Sequence, residues 1–319
     1  MADTVHLNDQ NGVQSKKFSN PDVTLDGSVR AEVRLDALQT LWINTGTLCN
    51  IECANCYIES SPTNDRLTYL TGAEASPFIK EAKAMGASEL GITGGEPFMN
   101  PHLFAMVEEA LANNLSVLIL TNAMRPMMRP RVQSTLAPLI EKSGEQIKIR
   151  VSLDHFSQVG HDAERGQGSF DEGVKGLKWL AENGANLSIA GRAALNETEE
   201  SAKLGYQSLF DANNLPLDAN NPDHLVLFPE MNEEASPPEV SEQCWSLLGV
   251  DPSDMMCASS RMVVKRQGAK EPTVLACTLI AYDERFDLGE SLEEASSPVK
   301  LNHPHCATFC VLGGSSCTG

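Results

Sequence analysis

Three closely spaced cysteines are the most chemically distinctive feature of the sequence. Cys49, Cys53 and Cys56 have the spacing C-x3-C-x2-C and follow an apolar run at 41–43 that predicts a β-strand. Thiolate sulfur is a soft ligand suited to iron–sulfur clusters, Zn²⁺ or Cu(I). A [4Fe–4S] cluster normally takes four cysteines, so three would leave one iron open to a substrate or cofactor. A structural zinc site and three unrelated buried cysteines are the alternatives.

A glycine-rich motif follows the second predicted strand, at 89–93. Gly94, Gly95, Glu96 and Pro97 come directly after this strand. In barrel enzymes the C-terminal ends of the strands carry the active site. Two glycines allow a ligand to approach the backbone, and the Glu96 carboxylate with nearby carbonyls can accept hydrogen bonds from an ammonium group. The motif therefore predicts a cofactor contact on the same face as the cysteines.

Together the two motifs resemble the radical S-adenosylmethionine (SAM) superfamily. Its cluster loop has the C-x3-C-x2-C spacing with an aromatic residue beside the last cysteine, here Tyr57, and Gly94–Glu96 resembles its GGE motif. The resemblance implies that SAM binds the open iron through its amino and carboxylate groups. It also implies reductive cleavage of SAM to methionine and a 5′-deoxyadenosyl radical, which abstracts hydrogen from a substrate. No side chain is assigned as a catalytic residue.

Three further residues at or after predicted strand ends are implied as part of the SAM pocket. Ser152, in the fourth strand, would reach the ribose or carboxylate of SAM, and Arg192, leaving the fifth strand, would pair with the carboxylate. Asn122, after the third strand, is expected to line the pocket. Ordinary loop and capping duty is the alternative for each. The barrel resemblance covers residues 41–228.

A second cysteine group lies near the C-terminus. Its members are Cys257, Cys277, Cys306, Cys310 and Cys317. The group resembles SPASM or shorter twitch extensions, which implies an auxiliary [4Fe–4S] cluster. Five cysteines cannot supply two clusters of four, so we expect one cluster and one spare thiol. A structural zinc site is the alternative, and His303 and His305 could ligate either metal.

The order of predicted elements indicates an α/β fold. Six strand–helix repeats favour a partial (β/α)6 TIM-like barrel, followed by a small cysteine-rich extension with a β-hairpin at 261–267 and 272–280 around Gly268. We expect a flexible leader at 1–36, the barrel at 37–230 and the extension at 231–319. The boundary lies in the acidic, proline-bearing stretch 229–242.

Composition limits the class of partner. The formal net charge is −19, which disfavours nucleic acid and anionic membranes, and no apolar run approaches the length of a membrane span. The polar N-terminal segment resembles no secretory signal, and nine cysteines fit a reducing compartment, so we expect a cytoplasmic protein. The expected partners are a peptide or small-molecule substrate and an electron donor such as flavodoxin or ferredoxin. A non-catalytic iron–sulfur or zinc protein, acting as electron carrier or scaffold, is the alternative function.

Overall fold

The computed structural model describes residues 16–193, 197–229 and 236–314. Its strands, in chain order, are β1 (Glu32–Val33), β2 (Thr40–Asn44), β3 (Glu89–Thr93), β4 (Ser116–Thr121), β5 (Ile147–Ser152), β6 (Asn186–Ala193), β7 (Leu225–Pro229), β8 (Ser260–Val264), β9 (Thr273–Leu275) and β10 (Val299–Lys300). Its α-helices are α1 (Gly72–Ala84), α2 (Leu103–Ala112), α3 (Pro130–Ser143), α4 (Gln158–Arg165), α5 (Ser169–Glu182), α6 (Glu199–Ala212) and α7 (Gln243–Leu248). No described helix is both long enough and apolar enough to cross a bilayer.

One large sheet organises the molecule. Its strand order is β7-β6-β5-β4-β3-β2-β8-β9, and every neighbouring pair is parallel except the hairpin β8–β9. Parallel strands need crossover connections, which the helices between β2 and β7 provide. This arrangement confirms the predicted partial (β/α)6 barrel and brings the C-terminal ends of β2 to β7 to one edge.

Strand β2 shows how the sheet separates two cores. Leu41 and Ile43 join the core beneath the helices, whereas Trp42, between them, belongs to a separate cluster inside the barrel. Successive side chains of a strand point to opposite faces, which explains the division. Gly91, on the neighbouring strand, is required here because an added Cβ would lie 2.4 Å from the Trp42 ring. The indole therefore fills the inside of the barrel.

The predicted helices are present, and two further helices escaped prediction. Helix α1 begins with a capping box in which the Thr71 side chain accepts from Glu74 N and the Glu74 side chain accepts from Thr71 N. Helices α4 and α7 were not predicted. Helix α4 buries a single residue, His161, so it has no apolar stripe to reveal it, and Ser157 caps its start by accepting from Gly160 N.

The C-terminal hairpin joins the barrel sheet, which differs from the separate extension that the sequence suggested. Strand β8 pairs in parallel with β2 and is buried along its whole length. Met262 and Val264 pack into the same inner cluster as Trp42. The predicted turn is present, with Gly268 at φ 79°. Contact with the barrel interior thus fixes the extension against the first barrel strand.

Residues 16–36 differ from the flexible leader expected there. Strand β1 pairs antiparallel with β10, and the Arg30 side chain is buried and forms an ion pair with Glu239. Phe18 belongs to the same hydrophobic core as Phe309, from the other end of the chain. The predicted boundary at 230–231 lies outside the described residues. The leader and the extension therefore share one core, although more than 200 residues separate them in sequence.

Candidate functional site

The cysteine loop after β2 forms one wall of a cavity of about 200 Å³ at the C-terminal edge of the sheet. Most of the residues predicted for cluster and SAM binding line this cavity together: Cys49, Cys53, Cys56, Tyr57, Gly94, Gly95, Asn122, Ser152 and Arg192. They come from the loops or ends of five different strands, so the parallel order of the sheet brings them together. Glu96 does not line the cavity.

The two glycines have a structural reason beyond ligand approach. Gly94 has φ 139°, and a Cβ on Gly95 would lie 2.2 Å from the carbonyl oxygen of Leu48. The Gly95 N–H donates to the Gly46 carbonyl at 2.8 Å, and the Glu96 N–H donates to the Leu48 carbonyl at 3.2 Å. The end of β3 therefore packs directly against the start of the cysteine loop and fixes its position.

Glu96 lies behind the cavity wall with its carboxylate fully engaged. It accepts hydrogen bonds from the Thr121 hydroxyl at 2.8 Å, from Asn122 N at 2.9 Å and from Phe98 N at 3.2 Å. Burial raises the pKa of this carboxyl, and the three donors oppose that shift. These contacts tie β3 to the end of β4. A direct contact between Glu96 and the SAM amino group stays a prediction.

Asn122 reaches the first cysteine from the end of β4. Its amide donates to Asn50 Oδ1 at 2.9 Å and lies 3.9 Å from Cys49 Sγ, while its Oδ1 accepts from Met124 N at 3.0 Å. Burial raises the pKa of the Cys49 thiol to about 12. The metal-free thiol is therefore protonated at neutral pH, and a metal would have to displace that proton.

A buried ion triad forms the polar end of the cavity. Asp154 accepts from Arg165 Nε at 2.7 Å and Nη2 at 3.0 Å, and Arg192 Nε lies 3.4 Å from its other side. Burial opposes ionisation of Asp154, but the two guanidinium groups prevail and lower its pKa to about 2. Neither Asp154 nor Arg165 was predicted as a site residue. Asp154 directly follows a strand end, which was the available signal, whereas Arg165 lies on α4, a helix that was not predicted.

Arg192 retains one unused donor. Its Nη2 donates to the Asn55 carbonyl at 2.8 Å, and its guanidinium lies 4.9 Å from the centre of the Tyr57 ring. Among the described residues, none accepts a hydrogen bond from the buried Nη1. A buried guanidinium donor without an acceptor suits a carboxylate, which takes charge-assisted hydrogen bonds in this geometry. The donor set of this cavity therefore fits the carboxylate of SAM beside a cysteine-bound cluster.

Part of the cavity wall is aromatic, and some of it comes from the C-terminal extension. The Phe309 ring meets Tyr57 edge-on at 6.3 Å and stacks against Phe228 at 5.8 Å. Thr278 and Leu279 of the extension line the same cavity. The loop carrying the first cysteine group thus contacts Phe309, which lies between Cys306 and Cys310 of the second group.

Four cysteines of the second group surround a small, mostly apolar cavity. Cys257, Cys277, Cys306 and Cys310 line it together with His305, whereas Cys317 lies outside the described residues. His303 lies 4.6 Å from the His305 ring but does not line the cavity. Among the described residues, no three His, Cys, Asp or Glu side chains are close enough to share a single metal ion. A [4Fe–4S] cluster distributes its cysteines over four irons.

The local backbone explains how the last two thiols reach one cavity. Cys306–Val311 is a π-helix, a rare element that is frequently found at functional sites. Its wider turn brings residues four apart, such as Cys306 and Cys310, close to one face. Burial raises the pKa of Cys257 to about 11 and raises that of Cys306 further. Cys244 is partly buried and packs against the core of this region.

Comparison with known proteins assigns the family. The profile of the radical SAM superfamily matches residues 43–203, half of the chain. This chain belongs to the radical SAM superfamily. The superfamily uses a [4Fe–4S] cluster and SAM, which agrees with the cysteine triad and the cavity beside it.

Similar curated proteins share about half of this chain. Mycofactocin maturase MftC of Mycolicibacterium smegmatis is 29% identical over 49% of this chain and 38% of that protein. The subtilosin biosynthesis protein AlbA of Bacillus subtilis is 31% identical over 44% of this chain and 30% of that protein. An AdoMet-dependent heme synthase of Methanosarcina barkeri is 28% identical over 49% and 42%. The chain thus spans less than half the length of these relatives.

Solved structures support the fold over a longer stretch. SuiB of Streptococcus suis, bound to SAM, superposes with a TM-score of 0.58 and 13% identity over 80% of this chain and 63% of that chain. SuiB bound to its precursor peptide SuiA gives the same TM-score over 88% and 67%. The likeness shows the same overall fold over 80% or more of this chain.

Proposed function

We propose that this chain is a radical SAM enzyme that abstracts a hydrogen atom from a residue of a peptide substrate. The observation that carries the proposal is the convergence of Cys49, Cys53 and Cys56 with the unused Nη1 donor of Arg192 around one cavity of about 200 Å³. Three thiolates would hold a cluster with one open iron, and the guanidinium would hold the SAM carboxylate beside it. A carrier or scaffold would need no such cavity.

Several residues of the cavity have a proposed role in SAM binding. When bound, the cluster supplies the electron that cleaves SAM to methionine and the 5′-deoxyadenosyl radical. The backbone at Gly94 and Gly95 faces the cavity and would hold the SAM amino group. Arg192 would orient the carboxylate, while Asn122 and Ser152 would contact the remainder of the cofactor. The aromatic wall excludes water, which protects a reactive radical from side reactions.

We propose that the second cysteine group holds one auxiliary [4Fe–4S] cluster. Cys257, Cys277, Cys306 and Cys310 line one cavity, which supplies the four thiolates that such a cluster takes. Cys317 is then the spare thiol. Bound zinc would instead make this region a structural site, since Zn²⁺ has no redox chemistry.

A peptide is the favoured substrate class. The names of MftC and AlbA describe a maturase and a bacteriocin biosynthesis protein, and SuiB binds a precursor peptide. Asp154 is paired with Arg165 and Arg192 in this cavity, and Tyr57, Phe228 and Phe309 form an aromatic part of its wall. An uncharged, apolar substrate residue fits that wall. The named small-molecule enzyme among the relatives, heme synthase, makes a small metabolite the alternative.

The reaction also needs a source of electrons. We propose a one-electron donor of the flavodoxin or ferredoxin type working in the cytoplasm, a compartment that keeps thiols reduced.

The deciding experiment is SAM cleavage by the anaerobically reconstituted full chain. With a chemical reductant, we expect methionine and 5′-deoxyadenosine in equal amounts, measured by chromatography. The variant with Cys49, Cys53 and Cys56 changed to Ala is the control and should form neither product. Absence of product from wild-type protein with a verified full iron complement would overturn the enzyme proposal in favour of a non-catalytic carrier.

A further inference from the structure

Arg261 is a buried cation without a carboxylate partner. It lies on β8, only 1% of its surface is exposed, and it follows Cys257 by four residues. Its hydrogen bonds to described residues go to backbone carbonyls: Nε donates to Ala295, Nη1 to Cys257 and Ser260, and Nη2 to Ser297. Four carbonyl oxygens satisfy the donors but leave the positive charge in place.

Two other arginines of this chain have a carboxylate partner. Arg30, equally buried, forms an ion pair with Glu239, and Arg165 forms a two-pronged pair with Asp154. A buried charge is strongly unfavourable unless a counter-charge compensates it. Among the described residues no carboxylate forms an ion pair with Arg261. The described part of the fold therefore supplies no carboxylate that compensates the charge of Arg261.

The anion-forming groups beside Arg261 are the thiols of the second cysteine group. Cys257 and Cys277 both interact electrostatically with Arg261, and each would favour its charged form when ionised. Nη1 lies 2.6 Å from the Cys257 carbonyl, which fixes the guanidinium at the base of this cysteine. Four thiolates around a [4Fe–4S]²⁺ core carry a formal net charge of about −2, and reduction makes it more negative.

We propose that Arg261 is the internal counter-ion of the auxiliary cluster and raises its reduction potential. The inference rests on the proposed function, because it requires an iron–sulfur cluster at the second cysteine group. A fixed positive charge stabilises the reduced cluster, with its extra negative charge, more than the oxidised one. The carbonyl cage prevents the guanidinium from turning away, so the effect is permanent. Arg261 acts through the cluster and is a positioning residue for its charge.

The test is an anaerobic redox titration of the reconstituted full chain, followed by electron paramagnetic resonance. The auxiliary signal is the one that SAM does not perturb. We expect Arg261→Met to disfavour reduction of this cluster at least tenfold, a shift of about 59 mV to more negative potential for one electron. Arg261→Lys, which keeps the charge, should stay close to wild type. Arg266→Met is the matched control, because Arg266 follows on the same hairpin and already pairs with Asp287.

The outcomes separate this inference from the proposed function. A full iron content of about eight per chain with an unchanged potential in Arg261→Met would overturn the inference alone. An equal shift in the Lys and Met variants would also overturn it, because charge would then not be the cause. Wild-type protein with zinc, or with only about four irons, would overturn the auxiliary cluster and this inference together.

A second measurement covers an Arg261→Met variant that fails to retain the cluster. In wild type the cluster should raise the thermal unfolding temperature above that of the metal-free chain, because it neutralises Arg261. In Arg261→Met this increase should be smaller or absent, while loss of the four hydrogen bonds to carbonyls should make the metal-free variant less stable than metal-free wild type. An increase in Arg261→Met as large as that in wild type would overturn the counter-ion role.

Discussion

The two cysteine regions of this molecule differ in the partners of their buried charges and in the space beside their thiols. The first group lies on a loop at an open edge of the sheet, beside a cavity whose polar end holds the paired charges of Asp154, Arg165 and Arg192. The second group lies in an apolar core, where Arg261 is buried with carbonyls as its partners. The first region pairs its arginines with a carboxylate and leaves space, whereas the second holds an arginine without a carboxylate partner and leaves little space.

The difference teaches how a protein distinguishes a site for ligand exchange from a site for a permanent group. Around a cofactor that enters and leaves, most hydrogen-bond donors must have a protein acceptor when the cofactor is absent. The exception is the donor that recognises the cofactor, here Arg192 Nη1. A resident cluster can be part of the core's electrostatic balance, because it does not leave. Phe309, between Cys306 and Cys310, touches Tyr57, next to Cys56, so the two regions share one wall.

The largest expected effect tests the difference between the two regions by removing one cysteine group at a time. Replacing Cys49, Cys53 and Cys56 by Ala should abolish SAM cleavage and lower the iron from about eight to about four per chain. Replacing Cys257 and Cys277 by Ala should leave about four irons whose resonance spectrum still changes on adding SAM. Iron analysis and spectroscopy measure both. A SAM-dependent spectrum in the first variant would reverse the assignment of the two regions.

A smaller expected effect concerns the free energy of unfolding and the ion triad of Asp154, Arg165 and Arg192. Asp154→Asn leaves Arg165 and Arg192 buried without their carboxylate, which should lower the free energy of unfolding by about 3–5 kcal/mol. Urea unfolding of the metal-free chain measures it. Asp287→Asn, in a more exposed pair with Arg266, is the control and should cost at most about 1 kcal/mol.

The same carboxylate predicts a pH dependence. The arginines lower the pKa of Asp154 from 3.8 to about 2 despite burial, so the folded state favours the ionised form. This contribution is present above about pH 4 and is lost as the pH falls toward 2. Asp154→Asn should lack that component of acid destabilisation. Identical acid profiles for wild type and variant would show that the ion triad does not stabilise the fold.

The smallest expected effect is on SAM affinity and tests the role of the unused Nη1 donor of Arg192. Arg192→Met removes one charge-assisted interaction with SAM, which should cost about 1.5–3 kcal/mol, or roughly tenfold to a hundredfold in affinity. The iron content should not change. Titration of SAM into the reconstituted chain measures the affinity, with Arg125→Met, at an exposed position, as the control. Unchanged affinity would remove Arg192 from the SAM site.

The sequence predicted the barrel and most of the cavity because both depend on local signals. Short apolar runs between helical patterns located the strands from β2 to β7, and residues at the C-terminal ends of parallel strands must meet at one edge of the sheet. Cys49 and Gly95 were found from their motifs, and Asn122, Ser152 and Arg192 from strand-end positions together with the resemblance to the superfamily. Arg165 was missed because α4 buries a single side chain, His161, and so presents no apolar stripe.

Contacts between distant parts of the chain were decided by the tertiary structure alone. The sequence gives Glu96 a polar side chain at a strand end, but only packing shows that Thr121, Asn122 and Phe98 already occupy its carboxylate. The sequence also determined that cysteines cluster near the C-terminus. Only the fold buries Arg261 beside them, because β8 pairs with β2 and carries this residue into the interior. Motifs report chemistry within a few residues, whereas burial and charge balance depend on neighbours that sequence distance does not reveal.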